Sequence, residues 1–264
     1  MCTIIVLNQV SKSWPVVLAS NRDELFQRPS RPPRLWPGEP ALVAPVDLAK
    51  GGTWMGLAPN GFFVAVTNQR TWGQSREDLE SRGELVVSLL RSGSKPAARA
   101  LLAGVDARNY NPFNLLFGDA GGLVVGYGRS DRGPIEIAEV PAGVHVLPND
   151  ELDSPRIPKV QTIKDRLEDC HSLDGVALRR RLQAVLADTE LADPNRIERP
   201  PASSPITLEL AHRLSSVAIE TDLYGTRSSA IVALEPGRCA ELWYAAGPPQ
   251  ATEFRNLGPL IARL

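Results

Sequence analysis

Apolar and polar positions change period along this chain, and the changes mark its elements. The opening run Cys2-Thr3-Ile4-Ile5-Val6-Leu7 is apolar and β-branched and predicts a buried strand. Lys12-Ser13-Trp14-Pro15 reads as a turn, and Val16-Val17-Leu18-Ala19 as a second strand ending in the polar cluster Ser20-Asn21-Arg22-Asp23-Glu24. Residues 25–40 are so rich in proline that an irregular excursion is expected there. A short strand is predicted from Ala41 to Val46. The paired Gly51 and Gly52 predict a turn with room for another chain or a ligand to approach the backbone. Asn60-Gly61 signals a type I′ hairpin, and its second strand, from Phe62, ends in Thr67-Asn68-Gln69-Arg70. Helical spacing follows from Arg76 to Arg91, closed by Ser92-Gly93, and again from Lys95 to Leu102 behind a Ser94 cap.

Strands return from Phe113 to Gly118 and from Gly122 to Tyr127. Ile135 to Val140 and Gly143 to Leu147 predict a further hairpin around Pro141-Ala142-Gly143. Val146 to Arg156 leaves that strand as a polar loop. Helices are expected from about Pro158 to Cys170 and from Gly175 to Ala187. Pro194 to Pro205 reads as a loop or lid. Four strands close the chain, at Ser215–Ile219, Tyr224–Ser229, Ala230–Leu234 and Cys239–Tyr244. Hairpin-length links dominate, so the pattern predicts an α+β fold with mainly antiparallel sheets, as a single domain over 1–264.

Composition narrows the function. The 264 residues are 43% hydrophobic and 22% charged, with a formal net charge of −1, so a nucleic-acid or anionic membrane partner is not expected. The first apolar run is too short for a signal peptide and has no basic flank. No stretch is long enough to insert stably in a membrane, and a cytoplasmic setting is expected. Cys2, Cys170 and Cys239 form no metal-type pair, and His145, His171 and His212 lack ligand spacing, so no metal or required cofactor is expected.

The candidate chemistry lies in Cys2 and the polar clusters. Removal of Met1 would leave a thiol and an α-amine on one residue. With pKa values near ~8.5 and ~7.7–8.0, the amine can serve as base for its own thiol. Arg22 would favour the thiolate, and Asp23 could hold or orient the amine. Cys2 as a small residue starting a buried strand is the competing reading. Asn68 and Asn149 are amides at strand exits, suited either to an oxyanion or to an Asx turn. Arg227 follows Gly225 near a predicted strand. Arg28, Arg31 and Arg34 could meet anionic groups of a ligand.

These clusters resemble one family. Cys2-Thr3, Ser20-Asn21-Arg22-Asp23-Glu24, Gly51-Gly52-Thr53-Trp54-Met55-Gly56, Thr67-Asn68-Gln69-Arg70, Leu147-Pro148-Asn149 with Asp153-Ser154-Pro155, and Tyr224-Gly225-Thr226-Arg227-Ser228 keep the order found in the NRDE family, which includes the transport and Golgi organisation proteins. The family looks like a branch of the N-terminal nucleophile hydrolases, similar to choloylglycine hydrolase, penicillin V acylase and acyl-CoA:6-aminopenicillanate acyltransferase. The resemblance implies an αββα sandwich. It implies Cys2 as nucleophile, Asp23 at the α-amine, Asn68 and Asn149 as active-site amides, and Arg227 as a late active-site arginine. Asn21, Arg22, Trp54 and Arg70 are candidate binding residues. Those amidases keep an Arg three residues before the Asp, where this chain has Ser20, and Arg22 stands next to Asp23 instead. Two functions are implied. One is hydrolysis or acyl transfer at an amide or thioester through an acyl-Cys2 intermediate. The other is non-catalytic binding and trafficking of haem or acyl-CoA, with haem as ligand rather than required cofactor. The partner would be a small acyl substrate or haem.

Overall fold

The computed structural model describes residues 2–73 and 75–264, and the predicted fate of Met1 lies outside them. The described residues run in order through β1 (Thr3–Asn8), β2 (Val16–Leu25), β3 (Ser30–Trp36), β4 (Leu42–Asp47), β5 (Met55–Leu57) and β6 (Phe63–Asn68). Then come α1 (Arg82–Ser92), α2 (Lys95–Leu102), β7 (Phe113–Asp119), β8 (Gly122–Gly128), β9 (Glu136–Glu139) and β10 (Gly143–Leu147). The last third holds α3 (Pro158–Arg166), α4 (Gly175–Leu186), α5 (Leu208–Arg213), β11 (Tyr224–Glu235), β12 (Arg238–Ala245), β13 (Arg255–Asn256) and α6 (Gly258–Ile261).

Two antiparallel sheets form an αββα sandwich. One has the strand order β10-β1-β2-β11-β12-β13, the other β3-β4-β5-β6-β7-β8-β9. Side chains alternate across each strand, and the alternation sorts the core into three layers. Ile4, Val6, Val16, Leu18, Ala230 and Val232 meet Met55, Phe63, Leu116 and Val125 between the sheets. Ile5, Leu7, Val17 and Ala19 face outward and are covered by α3 and α4 through Val160, Ile163, Leu178 and Leu182. The second sheet is covered by α1 and α2 through Leu85, Val86, Leu89 and Ala98.

Several predicted elements change. The 25–40 segment contains a strand after all: β3 is an edge strand whose pairing slips between Arg31 and Arg34, so the two prolines sit where no ladder N–H is needed. The Ser20–Glu24 cluster lies within β2 rather than past its end, because β11 pairs along it as far as Leu25. The predicted 135–147 hairpin is absent. β9 pairs with β8, β10 pairs with β1, and the chain crosses from one sheet to the other between them. Ser215–Ile219 is buried irregular backbone rather than a strand, and the two strands predicted over 224–234 are one. The long helix expected from Arg76 starts at Arg82, where Ser81 caps the Glu84 N–H. The Asn60-Gly61 turn is as predicted, with φ of 63° and 76°. At Gly52 the backbone that approaches belongs to the chain itself, because a Cβ there would lie 2.3 Å from the Gly83 carbonyl carbon at the start of α1.

Candidate active site

Register decides which side chains share a face. Thr3 pairs with Asn21 and Ile4 with Ser20, so Cys2, one residue before β1, falls opposite Arg22. The alternation that sends Ile4 and Val6 between the sheets puts Cys2 in the same inner row, together with Ser20 and Arg22. Arg22 therefore stands one step along that row from the Ser20 position and on the thiol's side of the sheet. It is buried, its guanidinium stacks 4.2 Å from the Trp54 ring centroid, and its charge favours the Cys2 thiolate. Trp54 thus braces Arg22 and does not line the cleft described below.

Asp23 faces the opposite side, toward the helices. Thr226 Oγ donates to Asp23 Oδ1 at 2.6 Å and accepts from the Ile219 N–H at 2.9 Å. Tyr224 Oη donates to the Asp23 carbonyl at 2.7 Å. Burial pushes the Asp23 carboxyl up, opposed by the Lys159 ammonium, the Thr226 hydrogen bond and Arg22. Lys159, near the start of α3, is only 4% exposed. Its desolvation lowers its pKa, against the attraction of Asp23 and Cys2.

The Cys2 thiol departs from the expected lowering. Burial pushes it up, and the Asp23 carboxylate adds to that rise. The Asp23 N–H and Arg22 act the other way without overcoming it. In this state the thiol is held protonated and needs a base.

Asn149 is buried, and its Nδ2 donates to the Asn68 carbonyl at 2.6 Å while its own carbonyl accepts from the Arg70 N–H at 2.8 Å. The Asn149 side chain therefore abuts the backbone of Asn68, whose residue is exposed at the end of β6. Both line a cleft of about 520 Å³ with Arg70, Trp72, Arg82, Leu210, Arg213, Leu214 and Tyr224. Ile197 and Glu198 of the 194–205 loop line a small adjoining cavity, where Glu198 pairs with Arg70, which stacks on Trp72 at 4.1 Å.

Two candidates lie elsewhere. Asn21 is fully engaged in the fold: it donates to the Leu186 and Val217 carbonyls at 2.9 and 3.0 Å and accepts from Ser229 Oγ at 2.6 Å. Arg227 occupies the irregularity where β11 slips against β2. It donates to the Phe26 carbonyl and lies over the Phe26 ring, outside the cleft lining. Of the arginines considered for an anionic ligand, Arg28 is held by Asp47 at 2.6 Å, while Arg31 and Arg34 lie on the β3 edge. None of the three lines the cleft.

Sequence reasoning missed Lys159, Arg82 and Thr226. Lys159 did carry a signal, since a cation in the first turn of a helix opposes the helix dipole. Thr226 carried none, because its place opposite Asp23 exists only once β11 is in register. Among the described residues no group of His, Cys, Asp and Glu is placed to hold a metal, and no helix is long and apolar enough to cross a membrane.

The layering of helices over two antiparallel sheets is that of the N-terminal nucleophile hydrolase fold. Solved structures agree. The C2A mutant of conjugated bile acid hydrolase from Clostridium perfringens superposes with a TM-score of 0.53 at 13% identity, covering 97% of this chain and 96% of that one. The Caenorhabditis elegans ortholog of N-acylethanolamine-hydrolyzing acid amidase gives 0.54 at 10% identity, with 88% and 92% covered. Within that class the chain belongs to the Transport and Golgi organisation 2 family, whose model matches residues 1–241. The bovine homolog of Transport and Golgi organization protein 2 is 29% identical over 240 residues, covering 86% of this chain and 84% of its own. The human homolog is 27% identical over 242 residues, with the same coverage.

Proposed function

We propose that this chain is a cysteine hydrolase or acyltransferase that opens an amide or thioester bond through an acyl-Cys2 intermediate. The observation that carries this reading is the convergence of Cys2, Arg22 and Asp23 at the start of the β1–β2 pair; none of the three lines the cleft, but Thr3, next to Cys2, shares a small adjoining cavity with Asn149, which lines the cleft beside Asn68. The two structural neighbours named above are a bile acid hydrolase and an acid amidase, which supports the same reaction class.

Desolvation raises the Cys2 thiol pKa, so the reaction calls for a base, and the one this reading assigns is on the same residue. Once Met1 is removed, the α-amine of Cys2 takes the thiol proton. The thiolate adds to the substrate carbonyl carbon, and Asn68, exposed to the cleft and fixed through Asn149, offers an N–H to the oxyanion. One such donor is worth about 3 kcal/mol of transition-state stabilisation. The leaving amine or thiol departs with the proton held by the α-ammonium, and water or an acceptor amine or thiol then takes the acyl group. Trp72, Leu210 and Leu214 would carry the apolar part of the substrate, and Arg82 and Arg213 an anionic part.

The test is a set of acyl amides and thioesters incubated with protein whose intact mass shows loss of Met1. A mass increment equal to the acyl group on Cys2, absent in Cys2→Ala, is the expected result. Protein that keeps Met1 in its source cell and has a Cys2 inert to every acyl donor would overturn the reading.

A further inference from the structure

Lys159 has no part in the chemistry above, yet it is among the most buried charges of the fold. It follows Pro158 at the start of α3 and shares one cavity wall with Thr3 and another with Val217, whose carbonyl accepts from Asn21 on the same face of β2 as Asp23. A carboxylate that steadies an α-amine has to be charged, and burial opposes charge there. Thr226 supplies a hydrogen bond but no charge, and Arg22 stands on the other face of the strand. Among the described residues, Lys159 is a cation on Asp23's own face.

We propose that Lys159 is a positioning residue for the Cys2 reaction: its ammonium keeps Asp23 ionised and competes with the α-amine for that carboxylate, leaving the amine free to act as base. This rests on the reading of Cys2 as nucleophile. The charged and titratable groups that act on Asp23 are the α-amine and Lys159, with Arg22 and the Cys2 thiol across the strand. Those lining the cavities beside Lys159 are Arg70, Arg156 and Glu198 on the side of Thr3 and Asn149. On the other side are Asp188, Glu190, Asp193 and Arg196, around a space of about 150 Å³. That second space gives a small amine access to the ammonium position.

The experiment follows two quantities against pH in processed protein: the Asp23 carboxyl signal in 13C NMR and the rate of Cys2 alkylation by iodoacetamide. In Lys159→Met the Asp23 titration is expected to move to higher pH. The acid limb of the alkylation profile should move with it, by about one pH unit, or tenfold in rate on that limb. Lys159→Arg should restore the wild-type profile, and methylammonium should restore it saturably in Lys159→Ala, which covers the case of a Met variant that does not fold. An Asp23 titration unchanged by loss of Lys159, or a uniformly slower rate with no shift in profile, overturns the proposal. A shifted Asp23 beside a Cys2 inert in wild type overturns the nucleophile reading and the positioning role with it, and leaves a structural ion pair.

Discussion

Asn21, Arg22 and Asp23 are consecutive, and the alternation of β2 separates them. Asn21 and Asp23 face the helices, where one ties the sheet to α4 and the other meets Thr226 and Lys159. Arg22 faces inward beside the thiol. Removing each should therefore read differently. Arg22→Met is expected to slow Cys2 alkylation about tenfold, since a cation that favours the thiolate is lost. Arg227→Ala should leave that rate within about twofold. Asn21→Ala should leave the alkylation chemistry in place but cost about 3 kcal/mol in urea unfolding, because it strands two carbonyls and a hydroxyl in the interior. Background labelling stays low, since burial pushes the Cys239 thiol up to about 12. The residue types of this site were legible in the sequence, Cys2 and Asp23 above all. The roles of Asn21 and Arg227 were not, because their hydrogen-bond partners lie as many as 208 positions away.

Elements whose punctuation is local were readable: the Asn60-Gly61 turn, the β7–β8 hairpin and the Ser94 cap on α2. Elements defined by a distant partner were not. β3 is a strand because β4 lies beside it, and β10 leaves its apparent hairpin because β1 offers a better-buried edge. The same distinction governs what mutations should do. Ser81→Ala removes one cap hydrogen bond and should cost about 1 kcal/mol. Gly52→Ala sets a methyl against the backbone of Gly83, which cannot move without lifting α1 from its sheet. It should cost several times more, on the order of 3 kcal/mol or above. Urea unfolding of the two variants side by side checks the ranking, and equal losses would mean that α1 shifts freely.

Over the whole molecule, Asp153 ties the end of β10 to α3. Burial alone would raise its carboxyl, but hydrogen bonds from His145, the Val146 N–H and Lys164 outweigh that and hold it below the usual carboxylate range. A depressed folded pKa contributes stability above the unfolded value near ~3.9 and loses it as pH falls through the folded value. Wild-type stability should therefore drop below pH ~4, and Asp153→Asn should flatten that slope while costing about 1 kcal/mol at neutral pH. Asn tolerates the positive φ of 59° at this position, so the comparison isolates the charge. The strand order β10-β1-β2-β11 has a further consequence, in time rather than space. On the ribosome β1 and β2 emerge before the other strands of their sheet and have only each other as partners within it. β10 follows more than a hundred residues later and β11 later still, an interval on the order of ten seconds at translation rates of ~5–20 residues per second. Throughout it the first residues hang on a two-stranded ribbon too small to be stable alone, open to any enzyme that trims a nascent chain, and the arrival of β10 and β11 closes that window.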